Sequence, residues 1–204
     1  MRMTDLIFLL QTSNGVPVMG LASGDQILFD SATDETLLGS RDYRMVLETG
    51  LNRIGADLRD IQQIFVDIGP GGLGVTRTGV AFANALGFSM GLPTTGLPAF
   101  EMLGMEAAAQ HGLPVVILRK AARPFVHFGI FETGSLAHYE HCERQVALER
   151  VKKLDKYHLV GNVEIEGAMP PLTNKASIST MFKVARSKPT PQPNARAYPI
   201  VEML

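Results

Sequence analysis

Cysteine is nearly absent from this 204-residue chain, with Cys142 the only one. No internal disulfide can form and no multi-cysteine zinc site exists, which suits a reducing cytoplasm. Net charge is also nearly absent, at −1 from 19 basic and 20 acidic residues. The basic bias that neutralises a phosphate backbone is missing, so there is no general electrostatic footprint for nucleic acid, although a partner that touches RNA is still allowed. Long apolar runs are missing as well. The run at residues 6–10 stops at Gln11-Thr12-Ser13-Asn14-Gly15, too short for a signal peptide's apolar region and far below a membrane span, so no membrane role is expected. His-Glu-x-x-His does not occur, and no Gly-Lys-Ser/Thr closes a Walker loop. Metalloprotease and P-loop chemistry have no motif here. No internal repeat is legible.

Hydrophobic residues make up 46% of the chain, enough for one substantial core or two small lobes. Apolar runs and turn residues predict strands at 6–10, 16–21 and 27–30, a β-meander. Tyr43, Leu47, Leu51 and Ile54 mark one face of a helix over 36–54. Residues 64–68 read as a buried strand. The turn Gly69-Pro70-Gly71-Gly72-Leu73-Gly74 follows, then a small-residue helix over 78–90 stopped by Gly91 and Pro93. A helix over 98–111 has Pro98 at its start and Gly112 past its end. Strands are expected at 115–118, 125–131 and 136–139, a charged helix at 148–156, a strand at 157–160 and a helix at 175–186. A proline-rich extended tail closes the chain.

A glycine turn between a strand and a helix N-terminus exposes several backbone N–H groups with no side chains in the way. Gly69, Gly71, Gly72 and Gly74 can hold a phosphate there, or simply let two backbones pack closely. The dinucleotide pattern is incomplete, because the helix-side spacing and the ribose acid are missing.

The segment carries a resemblance. Gly69-Pro70-Gly71, Arg77, Gly79, Gly91-Leu92-Pro93, Gly96 and Phe100-Glu101-Met102-Leu103 are similar, in order and spacing, to the TsaB (YeaZ) family. Its motif runs Gly-Pro-Gly-Ser-Phe-Thr-Gly-x-Arg-x-Gly. Weaker similarity covers most of the chain, while residues 58–103 are specific. The resemblance implies an α/β fold of the actin-like (ASKHA, ribonuclease H-like) duplicated type with two lobes, 1–97 and an abbreviated 98–204. It implies a non-catalytic subunit that binds and organises a TsaD-type enzyme in tRNA threonylcarbamoyladenosine modification, with a TsaE-type ATPase as a further partner and a homodimer as a second assembly. The implied contact residues lie on the two helices: Tyr43, Leu47, Arg77, Val80, Asn84 and Phe88, of which Leu47 and Val80 read at least as well as ordinary core and Tyr43 and Phe88 are the better anchors.

The departures matter as much. The family's Asp-Thr-Ser after the first strand is here Gln11-Thr12-Ser13. Both loop hydroxyls are gone, and Lys120 stands where the second lobe has Asp. In ATP-using relatives of the fold such acids hold a metal or orient water, and a hard dication needs oxygen ligands. The expectation is therefore no cofactor. Magnesium-ATP on the Gly69–Gly74 turn in a small ATPase is the alternative, and a self-associating paralogue without a tRNA role is a third. Asp67 is either a base or metal ligand, or a strand-end carboxylate bonded to the loop's N–H groups. The latter is simpler, since one acid without a partner does little chemistry. Arg77 either clamps an anion or a partner's carboxylate, or pins the loop to the first strand. His138, His141 and Cys142 make a metal set only with a fourth ligand in tetrahedral array, so incidental imidazoles on a strand end are the simpler reading.

Overall fold

The computed structural model describes residues 5–111 and 114–200. The first sheet is built from β1 (Leu6–Gln11), β2 (Val18–Ser23), β3 (Gln26–Asp30), β4 (Ile61–Asp67) and β5 (Thr94–Leu97), in the order β3-β2-β1-β4-β5. The second contains β6 (Val115–Lys120), β7 (Phe125–Glu132), β8 (Ser135–Glu143) and β9 (His158–Gly161), in the order β8-β7-β6-β9. Each sheet has an antiparallel three-strand meander, and in each the next strand lies parallel to the meander's first: β4 beside β1, β9 beside β6. The same strand order appears twice, so topology shows the duplication that the residues hide. This is the two-lobed actin-like α/β fold.

Among the described residues five helices cover the sheets: α1 (Tyr43–Ile54), α2 (Leu73–Met90), α3 (Ala99–His111), α4 (Arg144–Val151) and α5 (Ile178–Ser187). α1 and α2 bury Val46, Leu47, Leu51, Val80 and Ala83 against Phe8, Leu10, Ile64 and Val66 on one face of the first sheet. α5 covers the other face, where Ile178, Met181 and Val184 meet Leu9, Phe65 and Leu97. α3 bridges the lobes: Met102 packs in that second layer, and Phe100 and Leu103 pack against Val115, Ile117 and Phe131 of the second sheet. α4 closes that sheet's far face.

The sequence misplaced several boundaries. The helix expected from residue 36 starts at Tyr43. Asp34 takes the Thr36 N–H and hydroxyl and pairs with Arg53 at 2.7 Å, holding residues 34–37 as turns. Asp42 then caps α1 through the Met45 N–H. α2 begins at Leu73 rather than 78, so Gly74 and Arg77 are helical. The Thr76 N–H and hydroxyl both bond the Gly72 carbonyl. β5 was not foreseen; it is four residues long and its neighbours supply its register. α4 sits at 144–151 rather than 148–156, because β8 runs on to Glu143. Gly112, the expected stop of α3, lies outside the described residues. Past α5, residues 188–200 form no helix or strand. Ala195 accepts from the Thr94 N–H at 2.9 Å and Ile200 donates to Ile68 O at 2.8 Å, which lays the tail along β5.

Candidate functional site

The ends of β1 and β4 meet at Asp67, which is fully buried. Its carboxylate accepts from the Gly69 N–H at 2.8 Å, from Ser13 at 2.9 Å and from Thr12 at 3.3 Å. The strand-end reading of Asp67 is therefore the one the geometry satisfies. The acid fixes the glycine turn against the turn after β1. The Ser13 carbonyl returns a bond to the Gly72 N–H at 3.3 Å.

Opposite stands Arg119 of β6, a residue that no local pattern in the chain singles out. Its guanidinium donates to Ser13 Oγ, to Pro70 O at 2.8 Å and to Asn174 O at 2.7 Å, and the residue is 3% exposed. Burial pulls its pKa below the usual arginine range, and the charge of Asp67 works against that shift; an arginine keeps its proton regardless. A Cβ at Gly71 would run into Ser13 and the Arg119 guanidinium. Glycine is thus required because the chain's own backbone and Arg119 already lie against the turn. Gly74 stands in the first turn of α2, exposed.

Magnesium-ATP does not fit these residues. Gln11 is 2% exposed, and its Oε1, like Thr12 Oγ1, has no protein hydrogen-bond partner among the described residues. A neutral amide on a strand end served by a buried guanidinium is a poor seat for a hard dication. Among the described residues no three His, Cys, Asp or Glu side chains come together as a metal site. Lys120 borders an open groove of about 970 Å³ at the carboxyl ends of β6 and β9, with Arg123, Arg144, Glu143 and Glu164 also on its rim.

The six docking candidates separate. Leu47 and Val80 are core residues. The Asn84 side chain grips Ala197 of the tail. Tyr43 is half-buried, its ring 5.2 Å from Phe82; burial raises its hydroxyl pKa, and Arg41 opposes this. Arg77 is exposed on α2. Phe88 is 78% exposed near the end of α2, with the Arg196 guanidinium 5.9 Å from its ring centre. Along α2, Thr78, Ala81 and Ala85 are exposed on the way to Phe88, a face of small side chains ending in one aromatic.

In the second lobe, β8 alternates. His138 and Cys142 lie on one face and His141 on the other, so they do not converge on one ion. His138 instead contacts Glu140 and Arg150, and Cys142 is buried with its thiol pKa raised by burial and by Glu140. Arg119, His127 and His141 are register neighbours on β6, β7 and β8. His127 Nδ1 lies 3.0 Å from the Tyr139 hydroxyl. Burial, then His141 and Arg119, lower the His127 pKa to about 4.

No helix among the described residues is long and apolar enough to cross a membrane. The model of the family described as TsaD, tRNA N6-adenosine threonylcarbamoyltransferase, matches residues 41–178, more than half of the chain. No curated protein matches. Among solved structures, an uncharacterised protein with similarity to peptidase YeaZ from Pseudomonas aeruginosa superposes with a TM-score of 0.70 at 17% identity, over 97% of this chain and 99% of its own. YeaZ from Pseudomonas aeruginosa gives 0.66 at 14% identity, over 89% and 91%. At these identities the likeness is one of fold. Matched by the family model through both lobes, the chain belongs to the TsaD family, with a fold like that of YeaZ.

Proposed function

We propose that this chain is a non-catalytic TsaB-like subunit that binds and organises a TsaD-type enzyme in tRNA threonylcarbamoyladenosine modification. The observation that carries the reading is Phe88. A large aromatic, 78% exposed, stands on a helix face of small residues. Such a face lets another helix approach closely, and an exposed aromatic supplies the anchor on which interfaces concentrate their energy. Arg77 and Tyr43 flank the face and complete the proposed contact, with Leu47, Val80 and Asn84 acting from behind by holding α1, α2 and the tail in place. Docking would fix the partner's conformation by binding one of its states better than another. A TsaE-type ATPase would join the same assembly, tRNA would be met through the partner, and the setting would be cytoplasmic. The homodimer would use this same face, so the two assemblies would compete. We place the lobe boundary between Leu97 and Pro98, with α5 and the tail returning to the first sheet.

The small-ATPase alternative is weakened by Arg119, whose guanidinium and the Ser13 backbone already lie against Gly71 on the side where a Cβ would project. Co-purification with the TsaD homologue of the same organism tests the proposal. The wild-type chain is expected to retain it and Phe88→Ala to lose at least about tenfold in affinity, within the range of an interface hot spot. Failure of the wild-type chain to retain the homologue would remove the idea.

A further inference from the structure

Two of the three Arg119 contacts cross the molecule. The residue belongs to β6 of the second sheet. Its acceptors are Ser13 in the turn after β1, Pro70 in the glycine turn and Asn174 in the segment that leads into α5. Ser13 and Pro70 are carried by the first sheet, whereas the residues just before Asn174 are bonded to β9 of the second, Leu172 to Leu159 at 2.8 Å and Thr173 to Gly161 at 2.7 Å, and the chain reaches the first sheet with α5. Asp67 holds two of those segments together from the other side, through the Thr12, Ser13 and Gly69 N–H groups. The carboxylate joins the turns, and the guanidinium joins them to the opposite lobe.

We propose that Arg119 is a built-in interlobe latch, a resident cation that holds the two lobes at one angle without a ligand to bridge them. Three acceptors in three directions suit the planar fork of a guanidinium and not the point charge of a lysine. Pulling the lobes apart would leave a buried charge without the Ser13 and Pro70 acceptors, which the low-dielectric junction penalises heavily. The opening that exposes a cleft in a hinged two-lobed protein is thereby suppressed, and both lobes reach any partner as one rigid surface. This inference does not depend on the docking reading and stands or falls separately from it.

Backbone hydrogen exchange on the full chain tests it. In Arg119→Met, the amides of Ser13, Gly69 and Gly72 are expected to exchange at least about tenfold faster relative to those of β8, because local opening frees that junction alone. Millimolar magnesium-ATP is expected to leave the wild-type pattern unchanged. If Arg119→Met speeds exchange uniformly over both lobes, or not at all, Arg119 is a packing residue and the latch is wrong. Slower exchange at Gly69 and Gly72 on adding magnesium-ATP to the wild type would show closure driven by a ligand and would also overturn it. Should Arg119→Met not fold, Ser13→Ala, which deletes one acceptor, decides the matter. A rise confined to the same three amides supports the latch, and its absence refutes it.

Discussion

Asn84 holds Ala197 by both sides of its peptide. Its Nδ2 donates to the Ala197 carbonyl at 2.8 Å, and its Oδ1 accepts from the Ala197 N–H at 3.0 Å. A helix side chain thus plays the part of a neighbouring strand and ties the tail to α2, 113 residues away in the chain. Asn84→Ala removes both bonds. We expect a loss of about 1–2 kcal/mol, read by urea denaturation. Exchange at the Ala197 and Ile200 amides should quicken while β1 stays protected.

The lowered pKa of His127 makes stability depend on pH. The folded state holds the ring neutral down to about pH 4, whereas the unfolded chain protonates it near 6.5. Between those values the unfolded state binds more protons, so stability is fully present above about 6.5 and is lost as pH falls toward 4. The full span corresponds to on the order of 3 kcal/mol. His127→Asn is expected to flatten this limb in chemical denaturation measured from pH 7 to 4.5. An unchanged slope would refute the assignment.

Glu106 of α3 adds a second acid-sensitive joint. It accepts from the Ser177 N–H and hydroxyl and from the Thr180 hydroxyl at the start of α5. Burial works to raise its pKa, but these bonds together with Lys183 bring it below the usual glutamate value. An acid of lowered pKa contributes stability above its unfolded pKa and loses it as pH falls through the folded one. Glu106→Gln is expected to lower the melting temperature at pH 7 and to shrink the difference from wild type below pH 4.

Gly79 sets two effects against each other. Alanine in a helix interior gains about 1 kcal/mol over glycine. Here its Cβ would meet Thr12 Cγ2 at 2.5 Å, an overpacking that costs about 1–3 kcal/mol. The clash is expected to win, so Gly79→Ala melts lower than wild type. In a Thr12→Ala background only the Cβ at 3.1 Å remains, so the same change should no longer destabilise, a coupling that a double-mutant cycle measures.

Leu47 and Phe88 should part company under truncation. Leu47 is 4% exposed in the core, so Leu47→Ala is expected to cost about 2–5 kcal/mol and to weaken partner capture only through lost folded protein. Phe88→Ala removes one exposed ring and its Arg196 contact, a loss of no more than about 1 kcal/mol, while capture falls sharply. Circular dichroism melts beside the pull-down separate the two.

The meander, the buried strand before the glycine turn, the helices centred on 47 and 84 and the stop at Gly91 were legible because each rests on local chemistry: alternation, capping, and a glycine that takes positive φ. The docking candidates were legible as residues on two helices, with the aromatics Tyr43 and Phe88 set apart from Leu47 and Val80 by residue type alone. Periodicity could not tell Phe88, which faces out, from Val80, which faces in, because α2 is apolar or small nearly all round. β5 carried no signal of its own, since its four residues are ordered by β4 on one side and the tail on the other.

The residues alone determined the element types, the shortage of acids at the strand ends and the family to which the glycine segment is similar. Tertiary structure decided what holds the strand-end turns together across the lobes. Arg119 and Asn174 lie 106 and 161 residues from Ser13 in one direction along the chain, and nothing local to any of them announces the others. Only the closing of one sheet over the other brings a guanidinium and its acceptors within hydrogen-bonding reach, because that contact is set by the packing of α3 and α5 between the lobes and not by any preference of the residues themselves.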